Sequence, residues 1–320
     1  MPSAKEIKSS MRGVRDTMKI TKAMYMISTI KMRKAKHQLE ATEPYFYGLQ
    51  KAMNDILFNF PEVKSKFFGE KEDEDEFTYG KEEKPKRIAY IVLSSDRGLA
   101  GAYNHNIFNV VEKSVEGKTS DEYMLFVVGG LGVATLRGRG YNVAKDFSYT
   151  ATNPTIARAR VIAGHVIEQF ENGEFDEVHV IYTRMINSME STVEAQQLLP
   201  LKKTDFIQMD IDRVPKNAGT DFHNDGKKEN EFTVYPSAQV VLEEIVRNYV
   251  TGYLYGTLVE ATACEENSRM TAMKSATDNA KDMLNVLTVQ YNRVRQAAIT
   301  QQITEISSGA RALKRKKELS

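Results

Sequence analysis

Apolar residues near the start of the chain recur at a helical spacing. Ile7, Met11, Val14 and Met18 lie 4, 3 and 4 residues apart, which is the narrow seam of a coiled coil more than the wide face of a globular helix. Lys8, Arg12, Arg15, Lys19 and Lys22 repeat at 4, 3, 4 and 3, one residue out of phase, so a basic stripe runs beside the apolar one. No proline lies between Pro2 and Pro44, and no glycine between Gly13 and Gly48. Proline breaks helix interiors, so the first helix is predicted from about Ser3 to Glu43. Towards the other end, Leu284, Leu287, Tyr291, Val294 and Ala298 hold a 3-4 rhythm. The rhythm shifts by one residue and continues through Ile299, Ile303, Ile306, Ala310 and Leu313. No proline follows Pro236, and a second helix is predicted from about Ser237 to Leu313. At 1.5 Å per residue it spans on the order of 110 Å. That is about twice the width of a compact domain of this chain length, so the helix is expected to project from the body.

The middle of the chain has another pattern. Arg87–Leu93, Tyr123–Gly129 and Phe175–Tyr182 read as largely buried strands, and Thr192–Leu201 as an added edge strand. Helical patterns lie between them at Asn104–Val115, Leu131–Arg137 and Thr155–Glu171. Strands alternating with helices indicate an α/β layer with a mainly parallel sheet. Glu70–Lys86 is highly charged and Lys216–Glu231 is rich in Gly, Asn, Asp and Lys; both are expected to be mobile surface loops. The resulting division is an N-terminal helical segment over 1–60, a central α/β domain over 61–236 and a long C-terminal helical segment over 237–320.

Composition narrows the function classes. The 320 residues carry 44 Lys+Arg against 43 Asp+Glu, so net charge gives no argument for nucleic acid or membrane binding. Cys264 is the single cysteine, which excludes an internal disulfide and suits a reducing compartment. The N-terminus lacks the apolar core of a secretory signal and shows no transit peptide. The most apolar stretch, Tyr123–Leu136, is broken by glycine and falls short of the ~20 residues that span a bilayer.

Motifs for chemistry do not emerge. Gly129–Gly132 follows a strand and opens a helix, but it lacks the GK[ST] of a phosphate loop and the spacing of a dinucleotide fingerprint. A tight strand-to-helix turn is the better reading. His37, His105, His165, His179 and His223 have no metal-ligand spacing. Ser94–Gly98 is not a nucleophile elbow, and Asp96 is expected to pair locally with Arg97 or to cap the turn before the next helix. Cys264 is expected to pack. No cofactor and no small-molecule substrate is indicated. Nucleic-acid binding through the basic stripe and Lys314–Lys317 lacks interleaved aromatics or a known module.

The two terminal seams suggest that the chain ends pair as an antiparallel coiled coil with the α/β domain inserted between them. Five segments then carry a resemblance: KITKAM (Lys19–Met24), KMRKA (Lys31–Ala35), SSDRGLAGAYN (Ser94–Asn104), RMTAMKSATDNA (Arg269–Ala280) and YNRVRQAAITQQITEISSGARAL (Tyr291–Leu313). In order and spacing they closely resemble the F-type ATP synthase gamma subunit of the bacterial type. The resemblance implies an antiparallel coiled coil with an inserted Rossmann-like α/β domain. It implies a non-catalytic central shaft carrying torque between an ion-driven membrane ring and a catalytic hexamer, on the cytoplasmic face of the bacterial cell membrane. The implied partners are the alpha and beta subunits of the hexamer, the epsilon subunit and the membrane c-ring. It also implies contact roles. Met24 matches the shaft methionine facing an acidic loop of a catalytic subunit. Arg269 lies in the coupling region of the long helix, and Arg295 and Gln296 match a pair that contacts hexamer loops. The cysteine-bearing regulatory insert of the chloroplast type is missing, and the chain runs on past Leu313 as KRKKELS. A generic coiled-coil scaffold explains the rods but not this motif set.

Overall fold

The structure, a computed structural model, describes residues 3–69, 86–187, 190–202, 206 and 233–318. Two compact units are present: Met1–Thr29 with Arg269–Ser320, and Ile30–Ser268. Two long helices contribute to both, α1 (Ala4–Asn59) and, in final place, α5 (Ala238–Glu318). The two predicted surface loops lie outside the described residues, apart from Lys86.

In the first unit α1 starts with a reciprocal cap. The Glu6 amide donates to Ser3 Oγ at 3.3 Å, and the Ser3 amide donates to Glu6 Oε2 at 2.9 Å. Two of the four orphan helix-start donors are thereby satisfied. The predicted seam faces inward: Ile7 is buried, Met11, Val14 and Met18 are half-buried, and the line continues through buried Thr21 and Ser28. Thr21 and Thr277 hydroxyls meet at 2.8 Å, while the 8–19 stretch meets Tyr291, so the two helices run antiparallel. From 281 to 311 only Leu284, Leu287, Tyr291 and Val294 escape full exposure. The later half of the apolar rhythm differs: Ala298, Ile299, Ile303 and Ile306 are exposed. The pairing explains this. With Thr21 against Thr277, Ala4 at the start of α1 faces the neighbourhood of position 294, and nothing of α1 reaches further.

The second unit is built on a four-stranded sheet. Its strands are β1 (Ile88–Leu93), β2 (Tyr123–Val128), β3 (Glu177–Met185) and β4 (Ser191–Leu199), in the order β2-β1-β3-β4. The first three are parallel, and β4 is antiparallel to β3. Period-2 alternation sends Ala89, Ile91, Leu93, Phe126, Val128, Val178 and Val180 to one face and Tyr90, Val92, Leu125, Val127 and Ile181 to the other. Both faces are covered, as parallel sheets require. Helix α2 (Tyr103–Val115) and Leu136 of α3 (Gly130–Gly138) lie on the second face. Helix α4 (Ile156–Glu171), capped by the Thr155 hydroxyl, lies on the first with segments of α1 and α5.

Helix α1 does not stop at Glu43. It runs through Pro44 to Asn59. A mid-helix proline costs about 3 kcal/mol through a lost hydrogen bond and a ring clash. Beyond it Met53, Ile56 and Leu57 are buried in the first-face core, each contributing about 1.5–3 kcal/mol, and Phe46 stacks on Tyr249 at 4.9 Å. Burial exceeds the proline penalty, so the helix continues.

The crossovers diverge between β1 and β3: the chain leaves β1 for β2 on one side and returns to β3 on the other. Ligands of open α/β sheets bind at the carboxyl end of such a switch point. Here α5 fills it. Tyr103 hydroxyl donates to the Ala261 carbonyl at 3.2 Å, the Met185 amide donates to Glu260 Oε1 at 3.0 Å, and Cys264 is buried against the second-face core.

Candidate partner-contact surface

Lys8, Arg12, Arg15, Lys19 and Lys22 are all exposed on α1. Four of them line a groove of about 450 Å³ with Met11, Asp16 and Tyr291. Among the described residues only Lys19 of the five has an acidic partner, Asp16 at 3.3 Å, and that pair is open to solvent. Exposed pairs contribute little. The groove therefore keeps a net positive field suited to acidic groups from elsewhere.

The other sequence-predicted contact residues are spread along the first unit. Met24 is half-buried and Arg269 is buried, not on a solvated face, whereas Arg295 and Gln296 are exposed. By the observed pairing Met24 faces the region of position 274, roughly 30 Å along α5 from Arg295 at 1.5 Å per residue. The structure does not gather these residues into one cluster. The sequence reading missed a second exposed feature: Ile20 and Ile27 on α1, and Met283, Val286 and Val289 on α5, are more than half exposed. Its signal was present as apolar positions that fall off the seam spacing.

The Ser94–Asn104 segment is structural. Asn104 Oδ1 accepts from the Ser95 amide at 3.1 Å, and Ser94 Oγ donates to the Val128 carbonyl at 2.8 Å. Asp96 neither pairs with Arg97 nor caps α2. Its carboxylate accepts from the Gly130 amide at 3.0 Å, the Thr152 amide at 2.9 Å, and the Thr150 and Thr152 hydroxyls at 2.5 and 2.6 Å. It thus caps α3 instead and ties down the 150–152 loop. Partial burial raises its pKa, but these four hydrogen bonds outweigh that and hold it down to about 2. The stabilisation is therefore fully present above the unfolded value near 4 and is lost as pH falls through about 2. Asp96→Asn is expected to lower stability at pH 7 by about 1 kcal/mol, discounted for its solvent exposure. The gap between wild type and variant in urea titrations should narrow from pH 4 towards pH 2.

The glycine turn holds a close approach, not a phosphate. A Cβ on Gly129 (φ 105°) would lie 2.6 Å from the Ser94 carbonyl oxygen, and one on Gly132 would lie 2.7 Å from Ser94 Cβ. His165 packs on Phe126 and Phe147, and His179 bonds Glu177 at 2.9 Å. His223 lies outside the described residues. Burial, then the Glu260 charge, pushes the Cys264 thiol up to about 12, with Lys36 opposing. It is held as an unreactive thiol. Among the described residues no group of three His, Cys, Asp or Glu could hold a metal, and no helix is long and apolar enough to cross a membrane.

Comparison with known proteins gives the context for a paired-helix unit with a basic groove. A family model described as ATP synthase matches residues 3–313. The ATP synthase gamma chain of Acetivibrio thermocellus is 39% identical over 314 residues, covering 98% of this chain and 100% of the relative. The chain belongs to the ATP synthase gamma chain family. It is therefore a subunit of that complex and not one of its catalytic subunits. The sodium ion specific gamma chain of Acetobacterium woodii is 33% identical over 97% of this chain and 99% of its own. In fold, a chain of the Euglena gracilis mitochondrial ATP synthase aligns with a TM-score of 0.61 at 15% identity, covering 97% of this chain and 94% of that one.

Proposed function

We propose that this chain is the central rotor shaft of a rotary ATP synthase, transmitting torque between the membrane c-ring and the alpha and beta subunits of the catalytic hexamer, with epsilon as a further partner. The end-to-end match to gamma chains carries this reading. The antiparallel pairing of 4–29 with 269–294 supports it, because paired helices resist bending and twisting better than one alone. Met24, half-buried, is assigned to contact with the surrounding hexamer at one level of the shaft, with the buried Arg269 assigned to the same region through the small part of it that stays exposed, and Arg295 and Gln296 to a level about 30–40 Å away. The basic stripe of Lys8, Arg12, Arg15, Lys19 and Lys22 is assigned to the acidic loops of the catalytic subunits, supported by the net positive charge it keeps after the Lys19–Asp16 pair. The working location is the cytoplasmic face of the bacterial cell membrane, as befits a match to bacterial gamma chains.

The test is reconstitution of the complex with and without this chain. With it, ATP hydrolysis drives ion uptake into vesicles. Without it, uptake is expected to vanish even where hydrolysis by the hexamer persists. Undiminished uptake in its absence would refute the shaft role.

A further inference from the structure

The sheet of the second unit treats its two edges differently. At the β2 edge the chain covers itself: Leu125 amide donates to Asn142 O at 2.9 Å, Ala144 amide to Leu125 O at 3.0 Å, and Gly129 amide to Tyr149 O at 2.9 Å. Among the described residues the β4 edge is closed at its far end alone, where the Leu201 amide donates to Phe67 O at 2.6 Å and the Gly69 amide to Leu201 O at 3.2 Å. From Ser191 to Gln197 no outward backbone group has a partner among the described residues. Ala195 and Gln196 point to opposite sheet faces, and both are exposed. The open stretch is about 23 Å long at 3.3 Å per residue.

Proteins guard such edges with lysine, proline, bulges or covering loops. The segment STVEAQQ contains no lysine and no proline. The irregularity in the β3–β4 register falls at Val178/His179, beyond this stretch. The segment is also β-compatible, with Thr192 and Val193 branched at Cβ.

We infer that Ser191–Gln197 is a strand-addition site, taking an extended strand from a neighbouring subunit of the ATP synthase; the inference rests on the gamma-chain reading above. Backbone hydrogen bonds supply the affinity in this mode, and alternate side chains supply selectivity. The selectivity here is for a basic residue. Glu194 stands at the midpoint of the open stretch and Glu190 just before the stretch; Arg184 is already paired with Glu194 at 3.3 Å, so the two carboxylates keep one negative charge in surplus. The same position argues against a second copy of this chain. Two-fold antiparallel pairing about the midpoint would set Glu194 opposite Glu194, and like charges directly opposed destabilise a ladder. The occupant is therefore a strand with Lys or Arg facing Glu194 and β-branched or polar neighbours.

Residue-resolved hydrogen exchange, comparing the isolated chain with the purified complete ATP synthase, tests this. In the isolated chain alternate amides of 191–197 should exchange quickly, and in the complex they should slow by at least about tenfold. Ala195→Lys, at an exposed position, should abolish that slowing while the β3 amides stay protected, which also reports that the sheet has folded. Equal exchange of these amides in both states would overturn the proposal. So would slowing in the isolated chain that grows with its concentration, since the occupant would then be a second copy. Absence of the chain from the purified complex would instead refute the gamma-chain reading itself.

Discussion

Replacing Phe126 by alanine is expected to lower the stability of the α/β unit by about 3–5 kcal/mol. Phe126 is fully buried at the centre of β2. Its ring meets Phe147 edge-on at 5.2 Å, Phe175 edge-on at 5.8 Å and His165 at 5.9 Å. Those partners come from three different segments, so no single movement can close the space an alanine would leave. The cost then combines lost transfer energy with an uncollapsed cavity. A loss of that size is a large share of the 5–15 kcal/mol that holds an ordinary domain. The chain has no tryptophan, so urea unfolding is best followed by near-ultraviolet circular dichroism. Phe58→Ala serves as the control, because Phe58 is 76% exposed and surface changes fall within about 0.5 kcal/mol. Equal losses in the two variants would refute this account of the core.

Neutralising the whole basic stripe is expected to reduce ion pumping per ATP hydrolysed by up to about tenfold, while assembly of the complex stays near normal. Each exposed charge interaction is worth about 0.3 kcal/mol. Five acting together reach about the 1.4 kcal/mol that separates tenfold populations. A single Lys8→Ala change should be nearly silent. The defect should shrink as salt is raised, since screening limits these charges to about 8 Å at physiological ionic strength. The ratio of ion uptake to hydrolysis across a graded series, from one to five substitutions, is the quantity to measure. A ratio that stays constant through the series would remove electrostatics from the coupling and leave steric contact.

Where local chemistry settles an element, the sequence was enough. The seam from Ile7 to Met18 and its counterpart from Leu284 to Val294 follow from 3-4 spacing alone. Each strand of the parallel sheet falls within a few residues of its apolar run. What escaped was decided by distant residues. Pro44 argues for a helix end, and only the packing of Met53, Ile56 and Leu57 reverses it. Asp96 looks like a partner for its neighbour Arg97, but it is claimed by groups 34 to 56 positions away. Ile299, Ile303 and Ile306 obey the helical rhythm, yet their shielding depends on the start of the other helix. For the contact surface, spacing revealed the basic stripe. The burial of Arg269 could not be read from spacing, because it depends on the partner helix and not on α5 alone.

The switch-point crevice shows what the sheet does for the helix. A twisting couple carried along α5 must be resisted where the body grips it, and a grip holds best from more than one side. Glu260 is bonded to the end of β3 and Ala261 to the start of α2, so the helix cannot roll there without dragging both. The crevice thus acts as a keyway, with α5 as its key. A nucleotide could enter only if the key were withdrawn, so binding a ligand and holding the helix are competing uses of one slot. In this chain the helix occupies it.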